Sequence, residues 1–288
     1  MPKFAVPRAM PDGRFETLHR SLDVLTERPV TYLRIILWKG IRMAGGRTVE
    51  RELELGDVVQ LAGTAASTET RIKTAAVFLF ANKGYSATGM REIAGAAGIT
   101  NAGIYHFFIN KESLLLDIMR DVQFTLDASA EANLASAADP TDSLCLLVSG
   151  LVIAHGLNRM VTRVNDGELR ALTSDTTGYN EIVGLRDEYE SRWSEALRDG
   201  VDSEQFTISD VRLTRLSLMA MCTGMSGWYR PGGPTGLLEI ARHFAGTALQ
   251  VVSARRGHGR VTVDEVRLVP LSQVARIAWE PRFLGDSK

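Results

Sequence analysis

The sequence predicts an all-α protein, built from a small helical unit and a larger helical domain behind it. Three observations predict it. Beyond residue 67, apolar side chains recur at three- and four-residue spacing, the period of an amphipathic helix. Glycine, proline and Ser/Thr/Asn/Asp clusters punctuate these runs at 84, 98, 137–141, 174–178 and 228–235, where helices should stop. The alternation expected of strands is found only weakly, at Val261, Val263, Val266, Leu268 and Val269.

Residues 1–66 come first and hold no long amphipathic period. They mix acidic and basic residues and are broken at Gly45-Gly46 and Gly63. They are expected to be a poorly ordered extension. Arg34, Lys39 and Arg42 make the surroundings of residues 31–38 basic, so a DNA-contacting arm, a membrane-surface patch or a partner-docking segment are the functional alternatives.

From Thr68, read as an N-cap, Ile72, Ala75, Ala76, Leu79 and Phe80 define a first helix that Gly84 closes. Arg71 and Lys73 near its start are placed to reach phosphate. A short helix follows, capped by Thr88 and running to about residue 96. Gly98 turns the chain with positive φ, Ile99 buries at the corner, and Thr100 caps a second short helix over about 101–107. Helix, glycine-containing turn and helix form the helix-turn-helix geometry, whose second helix enters the major groove of DNA. Asn101 at its start suits a bidentate contact with adenine, Ala102 can meet only a thymine methyl, and Gly103 has no polar reach. Thr100 can bond phosphate. Phe107 and Phe108 are expected in the core.

Lys111, following the N-cap Asn110, opens a long helix to about residue 133 and can clamp a phosphate at the helix N-terminus. Leu115, Ile118, Met119, Val122 and Leu126 mark its apolar side. After the break at 137–141, where Pro140 suits an early helical position, residues 144–160 are almost continuously apolar and should be buried on most faces. His155 lies there, either as a core histidine or as a sensing group. At most one short helix is expected between the turn-rich stretches 165–170 and 174–178. A helix over 180–199 carries Ile182, Leu185, Tyr189, Trp193 and Leu197 and ends at Gly200. Another starts at Ser209 or Asp210 and runs through Leu213, Leu216, Met219 and Ala220 to about 228. The last spans about 237–252. Two consecutive apolar-rich helices suit a four-helix dimer interface, with Met219, Met221 and Met225 filling core or interface. From Arg255 the chain is expected to be a solvated tail, with phosphate binding by its basic run as the alternative.

Composition bounds the function. The 288 residues can form two domains, and a net charge of −1 means that any nucleic-acid footprint must be local. Cys145 and Cys222 have no metal-ligand or CxxC spacing, so a structural disulfide or zinc site is not expected and a reducing cytoplasm fits. No membrane span and no secretory signal are read from the sequence. Enzyme signatures are wanting: there is no P-loop, Gly224-Met225-Ser226-Gly227 meets Trp228 where GxSxG needs glycine, and Gly257-His258-Gly259 lacks a third glycine. The histidines form no helical pair, so neither metal nor cofactor is expected.

Gly84, Thr88, Ile93-Ala94, Ala97-Gly98-Ile99, Ile104-Tyr105, Phe108, Lys111 and Leu114-Leu115 together resemble the N-terminal domain of TetR-family transcriptional regulators. The resemblance implies a helix-turn-helix DNA-binding domain over 67–116 and a helical ligand-binding and dimerisation domain over 117–256, with an extension at 1–66 and a tail at 257–288. It implies a cytoplasmic homodimeric repressor on a near-palindromic operator in double-stranded DNA, released by a small-molecule effector. Tyr105 and His106 match family positions that touch phosphate. The DNA-facing set is therefore Arg71, Thr88, Thr100, Asn101, Ala102, Gly103, Tyr105, His106 and Lys111.

A looser resemblance rests on Glu168-Leu169-Arg170, Tyr189, Trp193, Trp228-Tyr229-Arg230-Pro231-Gly232-Gly233 and Glu239-Ile240-Ala241. It points to the branch that regulates lipid, steroid and aromatic-acid catabolism in response to acyl-CoA thioesters. It implies an effector pocket with Leu151, His155, Leu169, Tyr189 and Trp193 in its walls and Arg159, Arg163 or Arg170 for an anionic group. The alternatives are a hydrophobic drug-like effector with an efflux gene under control, and a protein without a working pocket that docks a partner through residues 1–66.

Overall fold

A computed structural model describes residues 67–172, 177–231, 233–270 and 273; the expectations for 1–66 and for the rest of the tail lie outside the described residues. The described chain forms α1 (Thr68–Lys83), α2 (Met90–Ala96), α3 (Asn101–Ile104), α4 (Lys111–Leu134), α5 (Pro140–Leu157), α6 (Arg159–Gly167), α7 (Thr177–Asp202), α8 (Val211–Gly224) and α9 (Leu237–Val251). One small antiparallel hairpin pairs β1 (Arg255–Arg256) with β2 (Gly259–Arg260). The all-α expectation holds.

Caps settle where the first helices begin and end. Ser67, one residue before the expected Thr68, caps α1 by accepting the Thr70 N–H at 3.1 Å. Gly84 closes the helix at φ +88, returning its N–H to the Phe80 carbonyl. Thr88 does not cap α2: its buried hydroxyl donates to the Gly84 carbonyl at 2.9 Å, and Gly89 enters the helix without a side-chain cap. Gly98 has the expected positive φ, +69, and Ile99 is half-buried behind it. Thr100 caps α3 by accepting the Gly103 N–H at 3.0 Å. The α-helix then lasts only to Ile104, because the N–H groups of Tyr105, His106 and Phe107 turn to the carbonyls of Ala102, Gly103 and Ile104 in tighter three-residue steps.

α4 is the axis of the molecule. Asn110 and Ser113 exchange bonds in a capping box at its start. Its first turns bury Leu114, Leu115, Ile118 and Met119 against Ile72, Ala75, Ala76 and Phe80 of α1 and Ile93 of α2. That core continues into Val161 and Val164 of α6, Leu172, and Ile182 of α7, so the small unit shares its interior with the larger domain. Lys73 reinforces the junction. It is fully buried, and its ammonium lies 2.5 Å from Asp117, 2.9 Å from Asp121 and 3.2 Å from Glu69. Lys73 is thus a core ion-pair residue rather than a phosphate contact.

α5 has the length and mean hydropathy, 1.4, to cross a bilayer, yet it is buried inside the protein. It packs against α4, α7, α8 and, most extensively, α9. The apolar run expected over 144–160 breaks at Asn158, and the stretch from Asn165, expected to be turn, is the end of α6. There Gln123 of α4 donates to the Asn165 side chain at 3.0 Å, which satisfies a polar residue that would otherwise favour a loop. α7 does not end at Gly200 but runs through it to Asp202, and Phe206 packs where a Cβ at position 200 would have to be, so a glycine there serves packing rather than helix termination. Asp210 caps α8 as expected. Arg120 with Glu181, and Arg192 with Asp127, form two-point ion pairs that fasten α7 along α4.

Residues 257–270, expected to be a solvated tail, pack back onto the domain. Arg256 bonds Asp139 at 2.7 Å and Asp142 at 3.2 Å, and Val261 and Val269 are buried.

The Lys73 cluster sets two expected outcomes. Lys73→Met, which leaves buried carboxylates uncompensated, should cost about 3–5 kcal/mol of folding stability in urea titration. Burial opposes the Lys73 ammonium, but Asp121 and Asp117 outweigh it and hold its pKa above the ordinary 10.5. A raised lysine pKa contributes stability that is fully present below the unfolded value and lost as pH rises through the folded one. Wild-type stability should therefore fall more steeply above pH 10.5 than that of the Lys73→Met variant.

Candidate functional site

The expected DNA-facing residues divide into an exposed set and a buried one. Thr100, Asn101 and Ala102 are exposed at the start of α3, and Tyr105 and His106 are exposed just beyond it, Tyr105 by 49%. Gly103 is half-buried; a Cβ there would come within 3.0 Å of the Thr100 hydroxyl that caps its own N–H. The glycine therefore leaves room for the cap. Phe107, expected in the core, is 46% exposed, while Phe108 fills the core beside Ile104. Polar and aromatic groups thus cluster on one exposed turn, held from behind by apolar anchors.

Arg71 lies half-buried in the first turn of α1 and donates to the Thr68 hydroxyl at 3.3 Å. Its guanidinium keeps donors for a phosphate. Thr88 and Lys111 do not fit the same role. Thr88 is buried and bonded to Gly84. The Lys111 ammonium donates to the carbonyls of Tyr85 at 2.7 Å and Thr88 at 2.8 Å, with Ser86 at 3.4 Å, and sits 4.3 Å from the centre of the Tyr85 ring. A lysine has three N–H donors, so this geometry occupies them. Lys111 clasps the α1–α2 turn to the start of α4. The sequence pattern points Lys111 at a phosphate, whereas here its ammonium meets backbone carbonyls; a lysine at a helix N-terminus looks the same for either partner.

The larger domain holds a small cavity between α4, α5 and α7. It is lined by Leu126, Ser129, Ala130 and Asn133 of α4, by Leu146, Leu147, Gly150, Leu151 and Ala154 of α5, and by Tyr189. Its free volume is about 10 Å³, room for one water molecule at most. Of the expected pocket residues, Leu151 and Tyr189 line it. Trp193, a turn further along α7, is fully buried, and burial also pushes the Tyr189 hydroxyl pKa up. His155 is buried but does not line the cavity, with one ring nitrogen 3.0 Å from the Leu151 carbonyl and the other 3.1 Å from Asp166. Leu169 faces the core shared with α1, not the cavity. Arg159 is half-buried with its Nε lacking a hydrogen-bond partner, close enough to Tyr229 to offset part of the rise that burial causes in that hydroxyl's pKa. Arg163 is exposed, and the side chain of Arg170 lies outside the description. The α4 lining, at spacings of three and four from Leu126 to Asn133, is the part that sequence reasoning missed. Its signal was the small and polar residues interrupting the apolar face of a long helix.

A short capped helix presenting polar groups after a glycine turn, rooted on a long helix whose far half walls a cavity, defines a ligand-binding helix-turn-helix DNA-binding protein. Two family models match: the N-terminal domain of bacterial regulatory proteins of the tetR family over 72–118, and the tetracyclin repressor-like C-terminal domain over 137–252. The chain belongs to the TetR family and is a transcriptional repressor with a C-terminal ligand-binding domain. It is 29% identical over 181 residues to the HTH-type transcriptional repressor KstR2 of Rhodococcus jostii, covering 62% of this chain and 88% of that one. A crystal structure of a tetR-family regulatory protein from Rhodococcus RHA1 superposes with a TM-score of 0.62 at 26% identity, covering 67% of this chain and all of that one. The fold is also that of AibR, solved in complex with isovaleryl coenzyme A and operator DNA, with a TM-score of 0.55 at 24% identity over 63% of this chain and 97% of that one.

Arg71 and Lys111 can be told apart by salt. Arg71→Ala should reduce the slope of log affinity for operator DNA against log salt by about 1. Lys111→Met should leave the slope unchanged and lower the melting temperature, read in the same preparation by circular dichroism.

Proposed function

We propose that the chain is a homodimeric repressor that holds a near-palindromic operator through Thr100, Asn101, Ala102, Tyr105, His106 and Arg71, and is released by a coenzyme A thioester of a hydrophobic acid. The observation that carries the reading is the double duty of α4. Its first turn is clasped by Lys111 to the DNA-facing unit, and its later turns, from Leu126 to Asn133, wall the cavity. A ligand that pushes on those later turns tilts the rod that carries the recognition segment.

Asn101 reads base edges, while Thr100, Tyr105, His106 and Arg71 position the protein on phosphates. Two copies set their recognition segments in successive major grooves, roughly 34–36 Å apart. Dimerisation uses α8 and α9, where Leu213, Leu216, Leu238 and Val251 stand exposed and Trp228 packs against Phe244 beside a groove of about 560 Å³. The two copies bury this apolar face against each other.

The cavity supports this effector chemistry. Its lining is mainly aliphatic, with Ser129, Asn133 and Tyr189 as the polar groups, and Arg159 offers a partly buried cation with an unpaired N–H. An acyl or ring system with an anionic carrier matches both. The isovaleryl coenzyme A complex of AibR favours the same class. At about 10 Å³ the cavity is too small for an acyl chain, so the effector selects an opened state and shifts the equilibrium by its differential affinity for that state.

Two outcomes test this. Asn101→Ala should lose about 1–3 kcal/mol of affinity for the operator, sought first in the gene's own upstream region, with little loss on random duplex. Titration of the operator complex with fatty acyl-CoA, the free acid and a cationic dye should give release by the thioester. Release by the dye alone would overturn the effector class and leave the DNA reading intact.

A further inference from the structure

The stretch from Arg255 to Pro270 lies beyond the residues matched by either family model, and it does not hang free. It crosses the start of α5 and follows one stripe of that helix. Asp142, Cys145 and Ser149, spaced by three and four residues, form the stripe. At one end Asp142 accepts from Arg256 at 3.2 Å and from the Arg267 backbone N–H at 3.0 Å, with the Arg267 guanidinium 3.5 Å away. Arg256 is also paired in a two-point bond with Asp139, which burial alone would raise but which Arg256 and backbone N–H groups hold below the ordinary aspartate pKa. Arg267 also donates to the Ser136 carbonyl. At the other end the Val269 N–H donates to the Ser149 hydroxyl at 3.2 Å.

That last contact reaches the cavity. A Cβ on Gly150, a cavity-lining residue, would lie 3.1 Å from the Asn133 side chain and 3.6 Å from a Val269 methyl. Val269, itself buried, therefore closes over Gly150 where Asn133, another lining residue, comes in from α4. We propose that residues 255–270 are a strap that shuts the effector cavity at the Gly150–Asn133 end, latched to Asp139 and Asp142 by Arg256 and Arg267, and that the hydrophobic effector enters as the strap lifts. The proposal rests on the effector reading above. Its physical content is that a cavity of about 10 Å³ cannot take an acyl chain, and that the stretch over its Gly150 end is tied down by the ion pairs of Arg256 and Arg267 with Asp139 and Asp142 beside the buried Val261 and Val269. α5 and α7 cannot open without breaking the core, whereas the strap can swing on its basic latch.

Cys145 provides a reporter that needs no ligand. It is fully buried between Asp142 and Ser149, and burial together with Asp142 pushes its thiol pKa up to about 12, so it reacts slowly while the strap is down. Cys222, a buried residue of α8 likewise raised by burial, reports general loosening of the domain. Alkylation of both thiols is compared in the full-length protein and in the double variant Arg256→Ala, Arg267→Ala. Cys145 should react at least about tenfold faster in the variant with Cys222 unchanged, because a latch held by charge-assisted bonds is lost. The acyl-CoA concentration for half-release from operator DNA should fall by a comparable factor, since apparent affinity scales with the competent fraction. Unchanged Cys145, or equal acceleration of both thiols, overturns the strap. Faster Cys145 labelling with an unaltered half-release concentration overturns its role as a gate. If no acyl-CoA releases even wild type, the effector reading falls and the gate with it, a result distinguishable because the Cys145 arm still reports whether the strap is latched.

Discussion

A charged lysine in a protein interior must be surrounded by carboxylates, and this constraint organises the junction between the two halves of the molecule. Lys73 projects from α1 into the space beside α4, where Asp117 and Asp121, one turn apart, meet it together with Glu69 from its own helix. An ion pair in this position contributes modestly to net stability, because desolvation offsets much of the attraction. What it contributes is register. A slide of α4 along α1 would leave two buried carboxylates and an ammonium without partners, an expensive state that the apolar contacts around Ile72 and Ile118 would not by themselves forbid. The start of α4 is thereby fixed to the DNA-facing unit, and motion has to be expressed as movement of that unit with the helix.

The same logic explains the second clasp. Lys111 gathers the carbonyls of Tyr85 and Thr88, and Glu168, at the end of α6, accepts the Tyr85 N–H at 3.2 Å. The turn between α1 and α2 is thus gripped from α4 and from α6 at once. Residues at the DNA surface stay exposed because their supporting polar groups are satisfied from behind. The Thr88 hydroxyl is committed to Gly84, while the Thr100 hydroxyl accepts the Gly103 N–H and keeps its own O–H to donate, so Thr100, Asn101, Tyr105 and His106 remain as the reach of the recognition segment.

The cavity shows why a closed state can be stable and still receptive. Aliphatic side chains of α4 and α5 meet tightly enough to leave room for a single water, so the empty protein avoids the cost of a large void. Ser129, Asn133 and Tyr189 interrupt this wall with polar atoms that a rigid apolar core would not need. The wall is closed from outside by the 255–270 stretch, which ion pairs such as Arg256 with Asp139 help to hold in place.

Local rules made much of this legible in the sequence. Period and punctuation located the helices other than α6, which spans the end of one apolar run and the start of a turn-rich stretch, and steric reasoning about glycine located the left-handed turn at Gly98. The Thr100 cap and the short helix after it followed from spacing alone, because a cap and its N–H lie three residues apart. What the sequence could not show is which partner a polar side chain finds across the fold. Lys73 and Arg71 are two residues apart with the same formal charge, yet only the packing of α1 on α4 decides that one is buried among carboxylates and the other stays at the surface. Lys111 meets carbonyls brought from residues 85–88, Leu169 turns to the core of the DNA-facing unit, and Arg256 reaches back over more than a hundred residues to Asp139. Periodicity and capping are properties of neighbouring residues, so the sequence by itself determined the helices and the turn that define the class. Charge pairing and cavity shape depend on contacts between distant segments, so only the tertiary structure decided them.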